Sequence, residues 1–223
     1  MEPAEIYEAS RRRLLELATR LDDARLRAPL QATPPWTVLD GYRHLTGVCA
    51  DVLDGVMDGA GSPEWTATQL AGRADRSIIE VVAEWARRGP DIDARMRETG
   101  ERMSFMAFDA WTHEQDIRAA AGQVGLRDDA AVPSLADLCL RTFGSRYGGS
   151  GAPAVAVVIG DEDYTLGEGA PSATLRTTPY ELLRIVFGRR SRQQVEAAGW
   201  EGEPAAVIEA FHLFDFPTRD IAD

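Results

Sequence analysis

The sequence contains no lysine, so all 24 of its basic residues are arginine. Cysteine is almost as scarce. Cys49 and Cys139 stand far apart, with no CxxC pair and no disulfide framework, which points to a reduced, cytoplasmic chain. No apolar run approaches the ~20 residues that a membrane-spanning helix needs. The N-terminal stretch MEPAEIYEASRRR has no apolar signal core. No internal repeat, low-complexity tract or phosphate-binding glycine loop is present. Positive charge is outweighed by 36 acidic residues, giving a net charge of −12. Such a surface repels phosphate backbones and anionic membranes, which argues against nucleic-acid and membrane partners.

What is present is a globular chain of 223 residues with an ordinary apolar fraction of 44%. Helical spacing of Ile6, Leu14, Leu15, Leu17, Ala18 and Leu21 predicts a first helix from Pro3 to Ala28. Its Arg11–Arg13 cluster reads as a solvated face. The Pro34-Pro35 pair marks a loop, and Thr37 with Asp40 has capping-box spacing. A second helix follows from Val38 to about Asp58. Residues 65–75 are ambiguous. A third helix spans about Ser77 to Arg88, where Gly89-Pro90 breaks or kinks it. A fourth spans about Ser104 to Ala121, and a fifth Pro133 to about Tyr147.

The pattern changes after Gly149. Three short strands are expected at Ala154–Ile159, Tyr164–Gly167 and Ala173–Arg176. A helix capped by Thr178 follows, then short helices at Ser191–Ala197 and Glu203–Phe214. The fold class expected is α+β: a helical domain over residues 1–150 and a small α+β domain over 151–223.

The chemistry concentrates in Phe105–Ala120, FMAFDAWTHEQDIRAA. At about 100° per residue, one helix face carries Met106, Asp109, Ala110, His113, Ile117 and Ala120. Glu114 and Arg118 form an outward i,i+4 pair. An acid and an imidazole on an apolar stripe require compensation, because a buried carboxylate without a cation is costly. Either His113 is protonated and pairs with Asp109, or another cation sits between them. His44, on the second helix beside Gly41, Val48 and Val52, is the natural third ligand of a divalent metal site. Asp116 could orient a ligand from behind. Gly41 and Gly47, on the helix of His44, suit close approach by another helix or a ligand.

Two segments, WTVLDGYRHL (Trp36–Leu45) and FDAWTHEQDIRAA (Phe108–Ala120), resemble the mycothiol-dependent maleylpyruvate isomerase family. A third, TPYELLRIVFGRR (Thr178–Arg190), is similar to a stretch of that family's small C-terminal domain. The resemblance implies a DinB-like four-helix bundle at the N-terminus. It also implies a metal, usually zinc, on His44, Asp109 and His113, and mycothiol, the actinobacterial low-molecular-weight thiol, as cofactor. A metal-held thiolate adds to an electrophilic carbon. Addition to a conjugated double bond permits rotation and elimination, which is isomerisation; displacement of a leaving group is S-transfer. The family carries Glu where this chain has the shorter Asp109. Arginine and alanine abundance without lysine fits a GC-rich, actinobacterial coding bias. The partners implied are a small thiol and a small electrophilic substrate.

Two other readings stay open: a non-catalytic, metal- or ligand-binding regulatory protein of the same fold, and a thiol-independent metal hydrolase. Arg189, Arg190 and Arg192 form a basic cluster, and of these Arg190, together with Arg219, is a candidate for binding a carboxylate of cofactor or substrate. Tyr42 and Arg43 read as surface residues. Cys49, Cys139, Trp36 and Trp111 read as packing, and His212 as core or interface.

Overall fold

Side-chain caps set most of the helix starts. The computed structural model describes every residue, Met1–Asp223, and packing divides it into two units, Met1–Gly125 and Leu126–Ala222.

In the first unit, α1 (Pro3–Ala18) opens on a Glu2/Glu5 capping box. Asp22 caps a separate turn of helix, α2 (Asp23–Leu26), by accepting from the Arg25 amide. The expected single helix to residue 28 is therefore two. In α3 (Val38–Asp54), Thr37 and Asp40 form the expected capping box, and Gly55 ends the helix with φ of 76°. That φ lies in the left-handed region that glycine adopts without a steric penalty. The ambiguous stretch contains α4 (Pro63–Ala71), capped by Ser62.

Ser77 and Glu80 box the start of α5 (Ile78–Thr99). This helix continues through Gly89-Pro90, where a break or a kink was expected. Proline removes one helical hydrogen bond, but here tertiary packing prevails. α5 is held by α1 on one side and α3 on another. The bare Cα of Gly89 accommodates Arg11, whose guanidinium would lie 2.2 Å from a Cβ at that position. Arg11 in turn pairs with Asp93, one turn beyond. A 3-10 turn, Gly100–Met103, leads into α6 (Ser104–Ala120).

The long helices close a ring of contacts: α1 against α5 and α6, and α3 against the same two, with α4 lying on α3. Ile6, Leu14, Val38, Trp85, Ile92, Ala110 and Ile117 fill the interior. Apart from Phe105 and Asp109, every residue of α6 from Ser104 to Ile117 is buried. The helix is surrounded rather than amphipathic. Glu114 therefore does not point outward. It is fully buried and accepts two hydrogen bonds from Arg13 of α1, at 2.6 and 2.7 Å. Arg11 and Arg13 are accordingly interhelix partners, not a solvated cluster. Tyr42 is likewise interior, its hydroxyl donating to the Leu14 carbonyl at 2.9 Å.

The second unit begins with α7 (Ala131–Gly148). It is followed by β1 (Val155–Ile159), β2 (Glu162–Leu166), β3 (Ala173–Thr177), α8 (Pro179–Val186), α9 (Arg192–Glu196), β4 (Gly199–Gly202) and α10 (Ala205–Ile208). The four strands form one sheet in the order β2-β1-β3-β4. β1 and β3 run parallel, with Val155 opposite Ala173, and both outer pairings are antiparallel. Val155, Val157, Ala173 and Leu175 point to the buried face. α7 packs on α8 and β2, and the unit so formed runs from Leu126 to Ala222. β4 was not expected: it is four residues long and holds two glycines. The helix expected at Glu203–Phe214 is only the single turn of α10. No helix is long and apolar enough to cross a membrane.

Candidate metal centre

Two helices of the first unit bring three side chains to one point. His44 comes from α3, and Asp109 and His113 come from successive turns of α6. One ligand atom from each lies within 4.8 Å of the other two. His44 Nε2 is 3.3 Å from Asp109 Oδ1, and His113 Nε2 is 3.6 Å from the same oxygen. The two imidazole rings meet edge to face, with centroids 5.0 Å apart. Both histidines are buried, whereas the Asp109 side chain keeps 27% of its surface exposed. The cluster thus has one open edge, on the carboxylate.

The local sequence explains the convergence. The Thr37 cap fixes where α3 begins, and His44 falls two turns later. Gly41, one turn before it, lets Ile117 of α6 and Leu30 approach; a Cβ there would meet Ile117 Cδ1 at 3.1 Å and Leu30 Cδ1 at 3.2 Å. Gly47, one turn after it, does the same for α4, whose Gln69 Cβ would lie 2.5 Å from an added Cβ. The expectation that small residues beside His44 mark close helix approach holds at both positions.

Each outer nitrogen faces a polar side chain. His44 Nδ1 lies 2.8 Å from Gln69 Oε1. His113 Nδ1 lies 3.5 Å from Asp116 Oδ2, consistent with the orienting role read for Asp116. Two imidazoles, each facing a further polar side chain, and one carboxylate are a donor set that suits a divalent transition metal. The residues present fit such an ion.

Two participants escaped the sequence reading. Trp36, taken as packing, stacks over His113 at 5.7 Å and is tilted against His44 at 5.0 Å. Its loop is pinned by the Leu30 amide donating to the Trp36 carbonyl at 2.8 Å. Its sequence signals were its place just before the Thr37 cap and at the head of the Trp36–Leu45 segment. Gln69 lay in the ambiguous stretch. Its signal was the i,i+4 spacing from Trp65, since these two are the buried residues of α4.

Arg190 and Arg219 belong to the second unit, whereas the cluster lies on helices of the first. Glu181 takes the Arg190 guanidinium through two hydrogen bonds of 2.8 Å, and a third runs from Arg190 to the Arg189 carbonyl. Arg219 is exposed. His212 is half-buried, its Nδ1 2.8 Å from the Phe214 carbonyl. Cys49 and Cys139 are buried and unbridged, as packing residues should be.

No family model and no curated protein matches the chain. Among solved structures, a mycothiol-dependent maleylpyruvate isomerase superposes with a TM-score of 0.48 at 13% identity, over 84% of this chain and 88% of that one. A variant of that isomerase with one histidine replaced by alanine gives the same TM-score and coverage at 12% identity. A likeness of that size says nothing of the chemistry.

Proposed function

We propose that this protein is a metal-dependent enzyme that uses a low-molecular-weight thiol, mycothiol, to isomerise a small electrophilic substrate or to transfer sulfur to it. The observation that carries the reading is the convergence of His44 Nε2, Asp109 Oδ1 and His113 Nε2 on one point with an exposed edge. These three residues hold the ion, which is zinc on this reading. Three protein ligands leave a position for a further ligand, as catalytic sites require. Bound there, the metal lowers the pKa of a coordinated thiol and keeps it ionised near neutral pH. The chain's own part is to aim the donors. Gln69 holds one ring of the pair, Asp116 faces the outer nitrogen of the other, and Trp36 covers both.

The rest of the reading follows from the sequence. The ring of α1, α3, α5 and α6 is a four-helix bundle of the DinB-like kind, and the chain works in the cytoplasm without nucleic acid or membrane. Of the two arginines considered for a carboxylate, Arg219 is the exposed one, since Arg190 is engaged by Glu181.

Elemental analysis across a zinc titration tests the metal, with His44→Ala and His113→Ala beside the unaltered protein. Near-stoichiometric zinc in the protein, lost in both variants, is expected. Equal, negligible metal in all three overturns the proposal. Turnover of an electrophile by the zinc-loaded protein should require added mycothiol; turnover without any thiol selects a hydrolase instead.

A further inference from the structure

His44 is joined to a third side chain beyond Gln69. The Gln69 amide nitrogen donates to Asp51 Oδ2 at 3.0 Å, while its oxygen faces His44 Nδ1 at 2.8 Å. The direction of this chain is fixed from its far end. An ionised carboxylate only accepts, so the Gln69 NH2 group must face Asp51. Its carbonyl oxygen must then face the ring, and Nδ1 must carry the proton. The other ring nitrogen, Nε2, lies 3.3 Å from Asp109 Oδ1, a second acceptor, so Nε2 is the nitrogen left to take either a proton or a metal.

The packing supports the same arrangement. Asp51 lies two turns beyond His44 on α3, and Gly47 lies between them. Only the missing side chain at Gly47 lets the Gln69 stem pass between the two: a Cβ there would sit 2.5 Å from Gln69 Cβ and 2.7 Å from Gln69 Cγ. α4 is also tied down at both ends. Trp65 Nε1 donates to the Val56 carbonyl at 3.0 Å, and Arg73 makes two hydrogen bonds to Glu84 of α5 at 2.6 and 3.1 Å.

We infer that Asp51 and Gln69 are positioning residues that hold the Nδ1 proton of His44, so that Nε2 is the ring nitrogen turned toward Asp109 and left for a metal. The inference rests on the metal reading of the cluster, but its first test does not. Nitrogen-15 spectra of the metal-free protein at a pH of about 8.5, above the ordinary histidine pKa of about 6.5, report which ring nitrogen of His44 bears the proton. A proton on Nδ1 is expected, and a ring protonated on Nε2 alone overturns the inference even if zinc binds.

Gln69→Leu removes the acceptor. It should give mixed tautomers and weaken zinc binding by about 10- to 100-fold, the usual effect of losing such a partner. The double variant Asp51→Asn with Gln69→Glu moves the charge one link along: the new amide donates, and the new carboxylate accepts from Nδ1. It should restore the Nδ1–H form and bring zinc affinity to within a few-fold of the original. A double variant as weak as Gln69→Leu, with both folded by circular dichroism, overturns the relay. If instead the unaltered protein shows Nδ1–H but binds no zinc, the relay stands and the metal proposal falls.

Discussion

Gly47→Ala tests the close approach of α3 and α4 most directly. The added carbon would meet Gln69 Cβ at 2.5 Å and Cγ at 2.7 Å, with Arg73 Nη1 at 3.1 Å. Carbon pairs rest at about 3.5–4.0 Å, so roughly another ångström of separation is needed. A Cβ is fixed to its own backbone, and no rotamer change of Gln69 can move it; α4 itself must shift. Overpacking of this kind costs about 1–3 kcal/mol. Replacing a mid-helix glycine by alanine returns about 1 kcal/mol. The net loss is then between zero and about 2 kcal/mol, read by urea unfolding.

Gly41→Ala is the internal control. Its neighbours are Ile117 Cδ1 and Cγ1 and Leu30 Cδ1, at 3.1 to 3.2 Å, so a shift of only a few tenths of an ångström is needed. It should be neutral or slightly stabilising. The two variants should also part in zinc affinity, because only Gly47→Ala draws Gln69 away from His44. If Gly47→Ala is as stable as Gly41→Ala and binds zinc unchanged, the account of the α3–α4 contact is wrong.

Arg13→Leu should destabilise the fold by up to about 3 kcal/mol, the low end for a broken buried pair, since Arg13 retains 24% exposure. Arg13→Leu with Glu114→Leu should recover most of that loss, and chemical denaturation of the two would show the difference. Burial pushes the Cys49 thiol up to about 11 and the Cys139 thiol to about 12. Both should resist thiol reagents at neutral pH until the chain unfolds. The same shifts give a sign: the folded state holds these protons more tightly, so stability present below a pH of about 8.5 declines as pH rises through about 11. Stability that increases over that range would contradict the assignment.

How much of this was readable in advance depended on how local the signal was. The capping box at Thr37 and Asp40 is written in a few adjacent residues, and the helix start it predicts agrees with the structure, whereas the end of that helix was placed at about Asp58 and falls at Asp54, before Gly55. The α6 stripe located Asp109 and His113, because an acid and an imidazole at apolar spacing are conspicuous. The failures were tertiary. Glu114 looked outward because nothing near it in sequence announces Arg13, about a hundred positions earlier. Pro90 looked like a break because the contacts that carry α5 through it come from other helices. Gln69 and Trp36 were invisible as site residues, since neither has an unusual neighbourhood until α4 and the 29–37 loop meet the histidines.

The contact of Arg11 with Gly89 and Asp93 reaches beyond local packing. It behaves as a key in a single notch: the guanidinium fits only opposite a residue without a side chain, and its charge is met only one turn further on. Sliding α1 by one helical turn, about 5.4 Å, would strand a cation and an acid among apolar neighbours. Burial already raises the Asp93 carboxyl pKa, against the pull of Arg11. The alignment of these two rods is therefore chosen by electrostatic exclusion of the neighbouring alignments, and a sequence that keeps the arginine and the aspartate must also keep the smallest residue at position 89.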